Sequence, residues 1–205
     1  MPNVMAVGGV LAALFASTVA TEPLVTPAEG ITISVETVNG SGCPAGTAQV
    51  STAADNTAFT VSYSDYFVLA GAGAKPTEFR KNCQLNLRVK IPQGFTFAVS
   101  QVDLQGFAYL QRGASGSQHS NYYFMGSSSN AQQSHEFTGP YSGVWRTSER
   151  ASTLIYAPCG QERNLNVNTE LRVDVGDSES GTSFMAMDST RGSVRSVYHL
   201  SWREC

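Results

Sequence analysis

The sequence predicts an all-β fold, a two-sheet antiparallel β-sandwich stapled by two disulfides. Its expected form is of jelly-roll type, with a closed barrel as the next choice. Three observations lead there. About ten short segments alternate apolar and polar residues. Gly, Ser and Asn fill the gaps between them, where turns need them. No window sustains a helical period. Composition agrees, since charged residues are only 14% of the 205, and Lys is scarce.

The chain opens on an apolar run, Val4 to Ala16, the length of a signal-peptide core and too short to cross a bilayer. Thr18-Val19-Ala20 puts small residues at the cleavage offsets. Residues 1–20 therefore read as a signal peptide. Residues 21–39 form a lead-in with Pro23, Pro27 and Gly30, then a first strand in which Ile31, Ile33 and Val35 alternate with Thr32, Ser34 and Glu36. Residues 40–205 read as one sandwich domain, and no other stretch could span a membrane.

Asn39-Gly40 turns the chain. Phe59, Val61 and Tyr63 then alternate with Thr60, Ser62 and Ser64, and Gly71 to Pro76 is a loop. Gln84 to Ile91 carries the clearest pattern. Leu85, Leu87, Val89 and Ile91 face one way, and Gln84, Asn86, Arg88 and Lys90 the other, so one side packs and one is wet. Phe95, Phe97 and Val99 continue the alternation. The phase slips at Ser100-Gln101 and resumes at Val102 and Leu104, the mark of a β-bulge. Phe107 to Leu110 follows, then a loop from Gly113 to Ser120. Further strands are expected at Asn121 to Met125, Val144 to Arg146, Thr153 to Tyr156, Leu171 to Val175, Phe184 to Met187 and Val194 to Trp202.

The cysteines are Cys43, Cys83, Cys159 and Cys205. An even count in an exported chain reads as two disulfides, and four cysteines admit three connectivities. The sequential pairing, Cys43 with Cys83 and Cys159 with Cys205, is favoured. Each bridge closes a loop of about 40–45 residues, for which chain entropy predicts about 4 kcal/mol. No C-x-x-C pair offers a zinc site.

Net charge is -3 and the isoelectric point about 5.6, without the basic face that nucleic-acid binding needs. His119, His135 and His199 fall in no metal-ligand spacing. The first two lie in or beside Ser-rich loops, and the third on the polar face of the last strand. All three read as solvated. No G-x-S-x-G elbow occurs. Gly71 to Lys75 has the wrong spacing for a phosphate loop. Asp103, Asp174 and Asp188 are scattered, so no glycosidase pair is apparent. No catalytic residue, metal or cofactor is expected.

Binding residues are easier to nominate. Tyr66, Tyr141 and Arg146 lie near loops, and a few aromatic and Arg anchors dominate most interfaces. Asn121-Tyr122-Tyr123-Phe124 combines an amide with rings, as sugar binding requires, although alternate rings must face the core. Asn39-Gly40-Ser41 reads as an N-glycosylation acceptor.

Several stretches resemble a known family. They include Cys43-Pro44-Ala45-Gly46, Cys83-Gln84-Leu85-Asn86-Leu87, Pro92-Gln93-Gly94-Phe95 and Gly106-Phe107-Ala108-Tyr109-Leu110. Later come Phe137-Thr138-Gly139-Pro140, Pro158-Cys159-Gly160 and Tyr198-His199-Leu200-Ser201-Trp202-Arg203-Glu204-Cys205. As a set, over residues 40–205, they resemble the secreted family catalogued as domain of unknown function 4360. That resemblance implies a small exported protein of fungi or actinobacteria, and it implies no catalytic residue.

The expectation is therefore a secreted, non-enzymatic protein that binds an extracellular partner, a host protein or a wall glycan. In a fungus this could take the form of an effector or virulence-associated protein. The alternative is an extracellular carbohydrate-active or other hydrolytic enzyme with an unfamiliar site.

Overall fold

A computed structural model of the chain describes residues 26–177, 181–187 and 195–205. The expected leader, Asp188 and Val194 lie outside the described residues. Twelve strands appear among those described. They are β1 (Thr32–Asn39), β2 (Ala48–Thr52), β3 (Ala58–Tyr63), β4 (Phe67–Gly71), β5 (Arg80–Lys90) and β6 (Phe95–Leu110), followed by β7 (Ser115–Phe124), β8 (Ala131–Thr138), β9 (Tyr141–Arg150), β10 (Leu165–Asp174), β11 (Thr182–Ala186) and β12 (Ser196–Glu204).

Two antiparallel sheets stack face to face. The first runs β1-β5-β10-β7-β8. The second runs β2-β3-β12-β6-β11-β4, with β9 along the other edge of β6. Both are open sheets, so the architecture is a sandwich and not a closed barrel.

The reason lies in the alternation. In β5, Leu85, Leu87 and Val89 are buried while Gln84, Arg88 and Lys90 are exposed. The core from the opposing sheet includes Phe59 stacked on Tyr198 at 4.7 Å, and Phe97 set edge-on to Phe124 at 5.2 Å. The slip in β6 is real. His199 pairs with Gln101 but Leu200 with Val99, so Ser100 is the extra residue. The bulge lets Phe97 and Val99 on one side of it, and Val102 and Leu104 on the other, all point inward.

Both expected disulfides form, Cys43–Cys83 and Cys159–Cys205. The first clips the turn after β1 onto β5. The second anchors the C-terminal residue, whose amide also bonds to the Gly94 carbonyl at 2.8 Å.

Two local expectations fail. Ser115 to Ser120 is not loop but the first half of β7. Its Gly116 lets Met185 of the other sheet approach where a Cβ would clash, so small residues there serve packing. Thr153 to Tyr156 joins no ladder. Instead Tyr156 lies under Arg203, whose guanidinium sits 4.2 Å from its ring centre, and the Ala157 amide bonds to Phe97. Phe107 to Leu110 continues β6 to its end, as expected.

Candidate functional site

The outer face of the first sheet is unusual in its chemistry. Inward-facing positions of β5, β10 and β7 are taken by Leu85, Leu87, Val167, Tyr122 and Phe124. Their sequence neighbours must then point outward. Register aligns these outward residues into rows. One row is Gln84, Asn168, Asn121 and Gln132, contributed by four adjacent strands. The next holds Asn82, Glu170, His119 and Ser134. On the other side lie Asn86, Asn166 and Tyr123.

The amides order each other. Asn86 Nδ2 donates to Asn166 Oδ1 at 2.9 Å, and Asn164 Nδ2 donates to Asn86 Oδ1 at 2.6 Å. Between the first two rows lies an open depression of about 380 Å³, lined among others by Gln84, His119, Asn121, Gln132 and Asn168. That is the scale of a small-ligand site. Asn121 Oδ1 is shielded there and accepts no hydrogen bond from the described residues. Arg80 and Glu170 neutralise each other at one end. What remains is a set of uncharged donors and acceptors with the Tyr123 ring one row away.

The second sheet carries another polar cluster on its outer face. Asp103 Oδ2 lies 2.6 Å from His199 Nε2, and Asp103 Oδ1 accepts from Ser148 Oγ at 2.6 Å and Gln101 Nε2 at 2.8 Å. Partial burial pushes the Asp103 carboxyl up. The bonds from Ser148, Gln101 and His199 together outweigh that and hold it below the usual carboxylate value. His199 is thus paired, not merely solvated as its strand face implied. The hydroxyl bonds to the carboxylate and not to the imidazole, so the three groups do not form the relay in which an imidazole takes the hydroxyl proton.

The other nominated residues divide. Tyr66 is a correction: it is fully buried, set edge-on to Tyr63 at 5.1 Å. Its hydroxyl donates to the Lys81 carbonyl at 3.4 Å and accepts from Thr169 Oγ1 at 3.3 Å. Burial raises that hydroxyl well above the usual tyrosine value. Its nearness to a turn misled, because Gly42 leaves room for the ring to tuck beneath the chain. Tyr141 is half-buried against Phe137, and Arg146 is exposed. Asn39 is exposed at the end of β1.

His119 and His135 lie within β7 and β8, not in loops, and His135 Nε2 reaches to 3.7 Å from Glu149 Oε1 on β9. Asp174 is bonded by the Gly176 amide at 2.8 Å, on the first sheet and apart from Asp103. Among the described residues no three His, Cys, Asp or Glu side chains converge as a metal site requires. Sequence reasoning missed the amide rows as a unit. Only the Asn121 to Phe124 segment signalled them, with Tyr122 and Phe124 turned to the core and Tyr123 outward.

Fold and surface together define a disulfide-bonded β-sandwich of the extracellular space. A family model, "Domain of unknown function (DUF4360)", matches residues 29–205, and the chain belongs to that family. It is similar to an "Uncharacterized secreted protein" of the fungus Arthroderma benhamiae, 33% identical over 171 residues, 82% of this chain and 69% of the relative. The protein is secreted.

Proposed function

We propose that this protein is a non-catalytic binder of neutral wall glycan, and that the amide-lined face of the first sheet is its binding surface. The observation that carries this reading is the row Gln84–Asn168–Asn121–Gln132, set beside a depression whose charged members are already paired. Sugar hydroxyls both donate and accept, and side-chain amides do the same at fixed spacing. Strand spacing of about 4.8 Å repeats on the scale of a sugar residue. Tyr123 offers a ring for the apolar face of a pyranose.

Export would proceed through residues 1–20 as a cleaved leader, and Asn39 would carry a glycan in a eukaryotic host. In a fungus that lives on a host, shielding or sequestering wall glycan is an effector role. A hydrolase finds less support, because Ser148 bonds to Asp103 and not to His199.

The test is retention on insoluble chitin, β-glucan and cellulose. The wild type should be retained by at least one. Asn121→Ala with Asn168→Ala should lower the affinity about tenfold, since each lost bond costs about 0.5–1.5 kcal/mol. Equal retention of the double variant, or no retention on any of the three, would remove the reading.

A further inference from the structure

The opposite face of the sandwich differs in kind. On the second sheet, Arg195 and Arg146 flank Gln105. The Gln105 amide bonds to the Arg195 carbonyl at 3.2 Å, and Arg146 is its register partner on β9. The two arginines therefore lie two strand spacings apart, about 10 Å between backbones. Arg146 Nε donates to Gln105 Oε1 at 3.1 Å, which orients the guanidinium. Both arginines line a groove of about 340 Å³ with Asp103 and Ser148. The Asp103 carboxylate is occupied by His199, Ser148 and Gln101. Among the described residues neither arginine has a carboxylate within ion-pair distance.

Apolar residues continue from this row. Phe107 pairs with Val144 in the next row, and Tyr109 follows beside Phe184. Val144 is 46% exposed and Tyr109 40%. The arginine pair thus borders an apolar surface on one side.

Phe107 and Phe184 lie with ring centres 5.8 Å apart and planes 21° apart. Aromatic and aliphatic side chains beside arginines that lack a carboxylate partner among the described residues match the anchors of protein interfaces, and the two guanidinium charges select an acidic partner.

We infer that the outer face of the second sheet docks a partner protein that presents a carboxylate side chain beside apolar ones. The carboxylate bridges Arg146 and Arg195, and the apolar side chains cover Phe107, Tyr109 and Val144. Bidentate guanidinium–carboxylate bonds fix the register of the partner. The protein would then hold glycan on one sheet and a protein on the other.

The experiment selects short random peptides, displayed on phage, against the immobilised secreted protein, and then titrates the synthetic peptides in solution. Selected sequences should share Asp or Glu flanked by Leu, Ile or Phe. Their affinity should fall about tenfold in Arg146→Gln, in Arg195→Gln and in Val144→Ser. It should stay unchanged in Asn168→Ala on the other sheet. Replacing the peptide's acid by its amide gives the same loss on wild-type protein, whatever the variants do to folding. The inference is overturned by peptides lacking an acid, by no selected peptide, or by arginine variants that bind as tightly as the wild type. Polygalacturonate bound with the same arginine dependence would instead mark an anionic-glycan site. Self-association lost in those variants would make a second copy the occupant.

Discussion

Gly106→Ala should destabilise the sandwich severely, although it adds one methyl group. Gly106 lies in β6 between two close neighbours. A Cβ there would overlap the indole ring of Trp145 and the carbonyl oxygen of Ala186 by about 1 Å relative to normal contact. Neither neighbour can yield. Trp145 is 1% exposed and its ring centre lies 5.3 Å from that of Phe137. Ala186 belongs to β11, which is paired with β6 on one side and β4 on the other, so moving its carbonyl breaks ladder bonds. Overpacking a core costs about 1–3 kcal/mol, and a site closed on two sides falls at the upper end. At about 2–4 °C per kcal/mol for a chain of this size, Tm should drop by about 6–12 °C. Gly30 is the control, because no atom lies within 4 Å of a Cβ added there, and Gly30→Ala should change stability by less than about 0.5 kcal/mol. Urea unfolding followed by tryptophan fluorescence and far-UV circular dichroism measures both. A Gly106→Ala midpoint equal to that of wild type would show that the close packing of β6 against Trp145 is misjudged.

Other outcomes follow from the same structure. Leu87→Ala should cost about 2–5 kcal/mol, because Leu87 is fully buried. Lys90→Ala, on the wet face of the same strand, should stay within about 0.5 kcal/mol in the same unfolding assay. Peptide mapping without reduction should recover Cys43 joined to Cys83 and Cys159 joined to Cys205. Asp103 has a lowered carboxyl pKa in the folded state, so its pairing stabilises fully above the ordinary carboxylate range. That contribution disappears as pH falls through the lowered value. The stability gap between wild type and Asp103→Asn should therefore be widest near neutrality and close in acid, and a gap independent of pH would contradict the pairing.

Much of this fold was legible because its strands are half-buried. In β5 the unbroken period of two announced both the strand and its wet side. The slip at Ser100 was visible because apolar residues change parity there. Strands without an apolar stripe were hidden. β8 reads Ala-Gln-Gln-Ser-His-Glu-Phe-Thr and lies at the sheet border, where even its inner face is only half-buried. The start of β7 looked like loop because Gly116 is small for the sake of Met185 across the interface. Thr153 to Tyr156 shows the opposite error, since Ile155 packs on the core and Tyr156 lies against Arg203 without joining a ladder. Surface function was harder still. The amide row joins residues 84, 121, 132 and 168, which register alone makes neighbours. Tyr66 seemed available because a turn precedes it, and no sequence pattern marks the hole left by Gly42.

The central claim is that neutral glycan lies across the amide rows. Side-chain amide resonances of Gln84, Asn121, Gln132 and Asn168 can be followed by NMR while oligosaccharides of chitin, β-glucan and cellulose are added. With at least one of them these four amides, each in the row across the depression, should shift together and saturably. Arg146 and Arg195 on the far sheet should stay unmoved. Shifts confined to the second sheet, or none with any of the three, would contradict it.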